Sequence, residues 1–198
     1  SVSLVSTGSA TYAVAFYANM AQFKKTYQKE RNGMSEIAFT KVDLPYGWLG
    51  NMSPHIVKYQ NQWYKTAEAL FQCMRYEGFP EVQQEIRDQK SPMSAKMVAK
   101  KYKKQIAGKS SKEEEERKDL ERMRECLLLK LSAHPDLKRM LRGTKDAVII
   151  EDCSKRKGGS GMFWGMAKME SGAWVGRNEL GKLWMAIREE LVKESQAA

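Results

Sequence analysis

The stretch Thr66-Ala67-Glu68-Ala69-Leu70-Phe71-Gln72-Cys73-Met74-Arg75-Tyr76 constrains the fold more than any other part of the chain. Thr66 is a good N-cap and the residues after it are strong helix formers, so a helix is predicted to begin here. Glu68, Gln72 and Arg75 then share one face, while Leu70, Phe71 and Met74 point elsewhere. A polar stripe bordered by such residues cannot be solvated all round. In the first turn the helix dipole favours an anionic Glu68, whereas burial favours the neutral acid. Opposed pressures of that kind suit a general acid or base. The same position also suits an ordinary first-turn glutamate that stabilises its own helix, and spacing alone leaves both readings open.

The chain of 198 residues is long enough for one domain with a substantial core. Its 42% hydrophobic and 29% charged residues describe a globular protein, and no apolar run approaches the ~20 residues that cross a bilayer. The start, Ser1-Val2-Ser3-Leu4, has neither Met nor a basic region and reads without a signal peptide. Cys73, Cys126 and Cys153 form no CxxC pair and no disulfide ladder, so a reducing, cytoplasmic setting is expected. The net charge of +10 favours a polyanion, a nucleotide or an acidic partner over a cationic one, although such charge also serves solubility.

Residues 1–10 read as loose, 11–28 as a helix closed by Arg31-Asn32-Gly33, and 1–35 together as a partly helical N-terminal extension before a domain spanning 36–194. Ile37-Ala38-Phe39 suggests a short strand. Segment 41–51, with Pro45, Gly47 and Trp48, reads as a rigid loop, and 56–64 as a hairpin feeding the central helix. Ser91-Pro92 should start a helix that runs to near Gly108, with Lys96, Lys100, Lys101, Lys103 and Lys104 as a basic flank, either a solvated face or a phosphate-backbone contact. Ser111 and Glu114 are expected to form a capping box for a long helix with Leu120, Met123, Leu127 and Leu131 on its buried face. Ala147-Val148-Ile149-Ile150 is the clearest strand and ends at Glu151-Asp152. The loop Lys155-Arg156-Lys157-Gly158-Gly159-Ser160-Gly161 leads to Trp164. It is either a phosphate cradle beside a stacking platform or a surface loop, and it has no P-loop or Rossmann spacing. Asn178 should cap a last helix.

No HExxH or Cys/His metal spacing and no GxSxG elbow occurs, so neither a metal nor a cofactor is expected. His55 and His134 are distant in sequence.

Several pieces together resemble one family. Pro45-Tyr46-Gly47-Trp48-Leu49-Gly50-Asn51 is similar to its YGxxSNF loop, Thr66 to Gln72 to its TxExxFQ helix, and Ser91-Pro92 to Lys96 to its SPxxAK start. Arg142-Gly143-Thr144, Glu151, Trp164-Gly165 and Asn178 to Arg188 complete the order. This is the NADAR, or YbiA-like, family, and the likeness covers about 37–192. It implies an α+β fold, a mostly helical domain around a small sheet. It also implies an N-glycosidase acting on a ribose C1–N bond, either removing ADP-ribose from guanine in DNA or RNA or hydrolysing a ribosylamino-pyrimidine phosphate of the riboflavin pathway. A non-catalytic module binding ADP-ribose or a nucleotide is a further reading, and a scaffold using only the basic surface another.

Carried over by motif, Glu68 is the catalytic carboxylate, Asn51 the loop amide, Trp164 the aromatic wall and Asn178 the last-helix cap. Lys41 is the second catalytic candidate, as donor or as amine nucleophile. Arg75 and Arg156 would hold phosphate, Trp164 or Trp48 would stack the base, and Gly47, Gln72, Asp152 and Gly165 complete the expected substrate-binding set. Three positions depart from the family pattern: Arg75 replaces a common Lys, Gly161 a common acid, and Gly50 the usual Ser. No tryptophan is found between the Ser-Pro helix and the long helix. These departures bear on the substrate more than on the reaction.

Overall fold

The computed structural model describes residues 35–197, and the helix expected at 11–28 lies outside them. The architecture is α+β, mostly helical around small sheets. β1 (Glu36–Phe39) runs parallel to β4 (Val148–Glu151), with Ile37 opposite Ile149 and Phe39 opposite Glu151. Val148, Ile149 and Ile150 are all buried, which explains why this strand reads as an unbroken apolar run. β2 (Val57–Tyr59) and β3 (Gln62–Tyr64) form a hairpin whose two turn residues, Gln60 and Asn61, both have positive φ, as a primed turn requires. β5 (Met166–Lys168) and β6 (Trp174–Gly176) form a second hairpin, joined to the end of β4 by a bridge from Asp152 to Met166.

Helices α1 (Ala67–Met74), α2 (Pro80–Arg87) and α3 (Pro92–Lys101) pack together, and α5 (Lys112–Ala133) packs against α1. The Thr66 hydroxyl accepts from the Ala69 amide at 3.2 Å, so α1 begins where its sequence says. The helix expected to reach Gly108 instead breaks at Tyr102, and a single turn, α4 (Lys103–Ile106), follows. The Ser111 hydroxyl caps α5, but the Glu114 carboxylate pairs with Lys118 at 2.8 Å instead of closing a capping box. α6 (Pro135–Gly143) and the short α7 (Gly161–Trp164) lead to α8 (Glu179–Ala197), which lies on β4. Its Trp184 is fully buried. Among the described residues no helix is long and apolar enough to cross a membrane.

Candidate active site

Two segments meet at Glu68. The loop after β1 turns through Tyr46, in the left-handed region, into a 3-10 turn at Gly47–Leu49, and then carries Asn51 to the start of α1. Asn51 donates its side-chain amide to Glu68 Oε2, and the Glu68 backbone amide donates to the Asn51 carbonyl at 2.9 Å. One turn along α1, Gln72 Nε2 donates to Glu68 Oε1 at 2.8 Å. Glu68 is 1% exposed, with both oxygens occupied by neutral amide donors. Lys96 Nζ, from α3, stands 3.9 Å from Oε1 on a partly exposed side chain.

A second carboxyl comes from the end of β4. Burial pushes the Glu151 carboxyl up to about 7; the nearby Glu68 charge adds to the rise, while Arg156 and Lys96 oppose it. Arg156 Nη2 lies 3.9 Å from Glu151 Oε1, and Oε2 is buried without a hydrogen-bond partner among the described residues. The Asn178 side chain holds this strand end in place, accepting from the Glu151 amide at 3.1 Å and donating to the Ile149 carbonyl at 2.8 Å. Gly181 allows that approach, because a Cβ there would lie 2.1 Å from the Ile149 carbonyl. Asn178 therefore braces the strand as well as opening α8.

The aromatic side is built on Phe71, the residue before Gln72. Trp164 meets it edge-on at 5.6 Å and meets Phe163 at 4.8 Å. Gly165 is buried, accepting from the Asn178 amide at 3.1 Å. Gly161 packs so closely that a Cβ would come within 2.1 Å of the Arg156 carbonyl, so the position noted above as a departure has no room for a side chain here.

The remaining sequence candidates take other places. Trp48 is buried edge-on against Trp184 at 6.0 Å, which leaves Trp164 as the more accessible of the two stacking candidates. Gly47 is buried at the start of the 3-10 turn. Arg75 turns inward, with Nε 3.3 Å from Asp119 of α5 and its guanidinium over Phe71. The Asp152 carboxylate accepts from the Ser154 amide and hydroxyl, which fits a turn brace. Lys41 is exposed, and among the described residues no hydrogen bond or ion pair joins its side chain to Glu68. A separate cavity of about 240 Å³, lined by Tyr59, Tyr64, Leu70, Met74, Arg87 and Glu125 among others, opens on the other face of α1, and none of the sequence candidates lines it.

Sequence reasoning placed Lys96 in a basic flank and Glu151 in the order of family motifs without making either a site residue, and it gave Lys130 no role. A signal existed for Lys130, since it falls three residues after Leu127 on the apolar stripe of α5. His55 and His134, distant in sequence, meet edge-on with ring centroids 5.0 Å apart. No group of three or more potential ligands among the described residues is arranged to hold a metal ion.

An α+β domain with two buried carboxyls beside an aromatic wall and a basic rim defines a class of site suited to carboxylate chemistry on an anionic substrate. The NADAR domain family matches residues 38–192, and the chain belongs to that family. It is 27% identical over 157 residues to a protein of Nostoc punctiforme named as an N-glycosidase, covering 78% of this chain and 92% of that one. It is 28% identical over 158 residues to N-glycosidase YbiA of Escherichia coli K12, covering 80% and 89%. The NMR structure of E. coli YbiA superposes with a TM-score of 0.65 at 26% identity, over 83% of this chain and 89% of the other.

Proposed function

We propose that this protein is an N-glycosidase that hydrolyses a ribose C1–N bond, with ADP-ribose on guanine in nucleic acid as its substrate. The observation that carries the reading is the pair of buried carboxyls, Glu68 clamped by two amides and Glu151 with a free oxygen and an affinity for protons near neutrality. The relatives named as N-glycosidases support the reaction class.

Stretching the C–N bond places positive charge on the sugar, and the departing nitrogen needs a proton. Glu68, its orientation fixed by Asn51 and Gln72, stabilises that charge and orients the attacking water. Glu151 can hold a proton near pH 7 and give it to the leaving base, which suits a general acid. Lys96 and Arg156 bring positive charge beside both carboxyls, where a phosphate-bearing sugar would bind. Trp164, braced by Phe71 and Phe163, offers a face for the base, a contact contributing about 1–3 kcal/mol.

Purified protein offered ADP-ribosylated DNA, ADP-ribosylated RNA and a pyrimidine ribosylamine phosphate, with free sugar and base monitored, tests the reading. Release of guanine-linked ADP-ribose is expected. Cleavage of the pyrimidine substrate alone would move the assignment to the riboflavin-pathway reaction. Tight binding without product would favour a recognition module, a reading favoured by Arg75 being held on Asp119 and by the lack of an acid at Gly161.

A further inference from the structure

Four successive backbone carbonyls in the loop that carries Asn51 are each taken by a donor from a helix. The Trp48 and Gly50 carbonyls accept from Lys130 Nζ of α5 at 2.5 and 3.0 Å, the Leu49 carbonyl from Trp184 Nε1 of α8 at 2.8 Å, and the Asn51 carbonyl from the Glu68 amide of α1 at 2.9 Å. Lys130 also donates to the Ser53 hydroxyl at 2.6 Å, and that hydroxyl in turn donates to the Gly50 carbonyl at 2.8 Å.

We propose that Lys130 is a positioning residue of the candidate active site: its three N–H bonds to Trp48, Gly50 and Ser53 lock segment 47–53 in the geometry that delivers the Asn51 amide to Glu68.

The chemistry of the position supports this. An ammonium has three N–H groups, and the loop supplies three acceptors, so Lys130 is fully satisfied without a carboxylate. A buried charge on neutral acceptors is a poor way to stabilise a core, since an apolar residue of similar volume avoids the desolvation cost. Burial alone draws the Lys130 ammonium down to about 7. What a lysine provides and an apolar residue cannot is directional bonds that tie the Trp48 and Gly50 carbonyls, whose other donors come from Ser53 within the same loop, to helix α5. Around it stand the Trp184 ring at 5.7 Å, His55 joined to Ser53 through Nδ1 at 2.9 Å, and His134 against His55. Burial, then the charges of Lys130 and His134, hold the His55 ring down at about 4, so it faces the cage as a neutral group near pH 7.

The geometric claim stands by itself, while its catalytic consequence rests on the N-glycosidase reading. The test is nitrogen-15 spectroscopy and amide hydrogen exchange on the full chain, for wild type, Lys130→Met and Ser53→Ala, with turnover measured alongside. In Lys130→Met, exchange at the Leu49, Gly50, Ser53 and Glu68 amides should accelerate about tenfold or more while Ile149 and Ile150 keep their protection. The Asn51 side-chain amide signal should lose its bonded shift. Ser53→Ala, which removes one of the three Lys130 acceptors together with the hydroxyl's own bonds inside the loop but leaves the Lys130 bonds to Trp48 and Gly50, should move the same signals by less, and it decides the matter if Lys130→Met does not fold. Turnover should fall with KM little changed. Unaltered Asn51 signals and loop protection in the folded variants, or loss of protection spread evenly over the domain, would overturn the proposal. If no substrate is cleaved even by wild type, the functional reading fails, and the exchange data still decide the role of Lys130.

Discussion

Asn51 and Glu68 bind each other in both directions: the asparagine side chain donates to the carboxylate, and the glutamate backbone amide donates to the asparagine carbonyl. The second bond fixes the loop against the helix start, and the first then fixes the carboxylate against the loop. Main-chain register and side-chain orientation are thus set by one pair. A residue that only stabilised its own helix would need neither bond.

Asn51→Ala should therefore affect function more than folding. The variant keeps the Glu68–Asn51 backbone bond but leaves Glu68 Oε2 buried without its donor, a loss of about 1–3 kcal/mol. Urea unfolding should show a drop in that range, and turnover should fall further as the carboxylate loses its orientation. Asn51→Asp should be worse on both counts, since it sets a second anion against Glu68. Equal activity in wild type and both variants would show that the clamp does not serve catalysis.

Glu68→Gln keeps the shape of the side chain and removes its charge. The folded structure and substrate affinity should persist, and turnover should fall by about a hundredfold or more, the scale of losing a positioned carboxylate. Calorimetric binding with a non-hydrolysable ADP-ribose analogue, set beside product release, separates the two effects. A variant that turns over normally would remove Glu68 from the mechanism.

How much of this arrangement was legible in the sequence depends on how local its cause is. The start of α1 was legible because Thr66 and its three neighbours carry the whole signal. Glu151 was not, because nothing near it in the chain shows that β4 ends beside α1; its role comes from burial and from charges on α1, α3 and the following loop. Trp48 illustrates the opposite error. An aromatic between glycines reads as exposed, yet Trp184, far along the chain, buries it. The break at Tyr102 was hidden because the lysines on either side are equally good helix formers.

The Glu151 carboxyl should leave a signature in stability against pH. Its folded value, about 7, lies above the unfolded 4.5, so its contribution is fully present below pH 4.5 and is lost as pH rises through 7. Lys130 runs the other way, drawn from 10.5 to about 7, so its contribution grows between pH 7 and 10.5. Chemical denaturation at pH 4.5 and pH 7.5 should show Glu151→Gln gaining about 2–3 kcal/mol relative to wild type across that interval. Activity, if Glu151 is the acid, should fall above pH 7 in wild type, and that descending limb should vanish in the variant. A limb unchanged by the substitution would assign the proton to another group.

Gly161 offers a test of what the missing acid means. A Cβ at this position meets the Arg156 carbonyl at 2.1 Å, and that contact is with backbone, which cannot swing aside as a side-chain tip can. Gly161→Ala should displace the loop that carries Arg156 towards Glu151, costing about 1–3 kcal/mol of stability. It should also weaken binding of ADP-ribose. Gly161→Asp adds a charge to the same clash, so it should not improve turnover. Faster hydrolysis by Gly161→Asp would mean that the loop can open to accept the acid, and that this chain has lost a catalytic group which a single substitution restores. Thermal unfolding, ADP-ribose affinity and product release measured on both variants separate these outcomes, because a displaced loop lowers all three while a restored acid raises only the last.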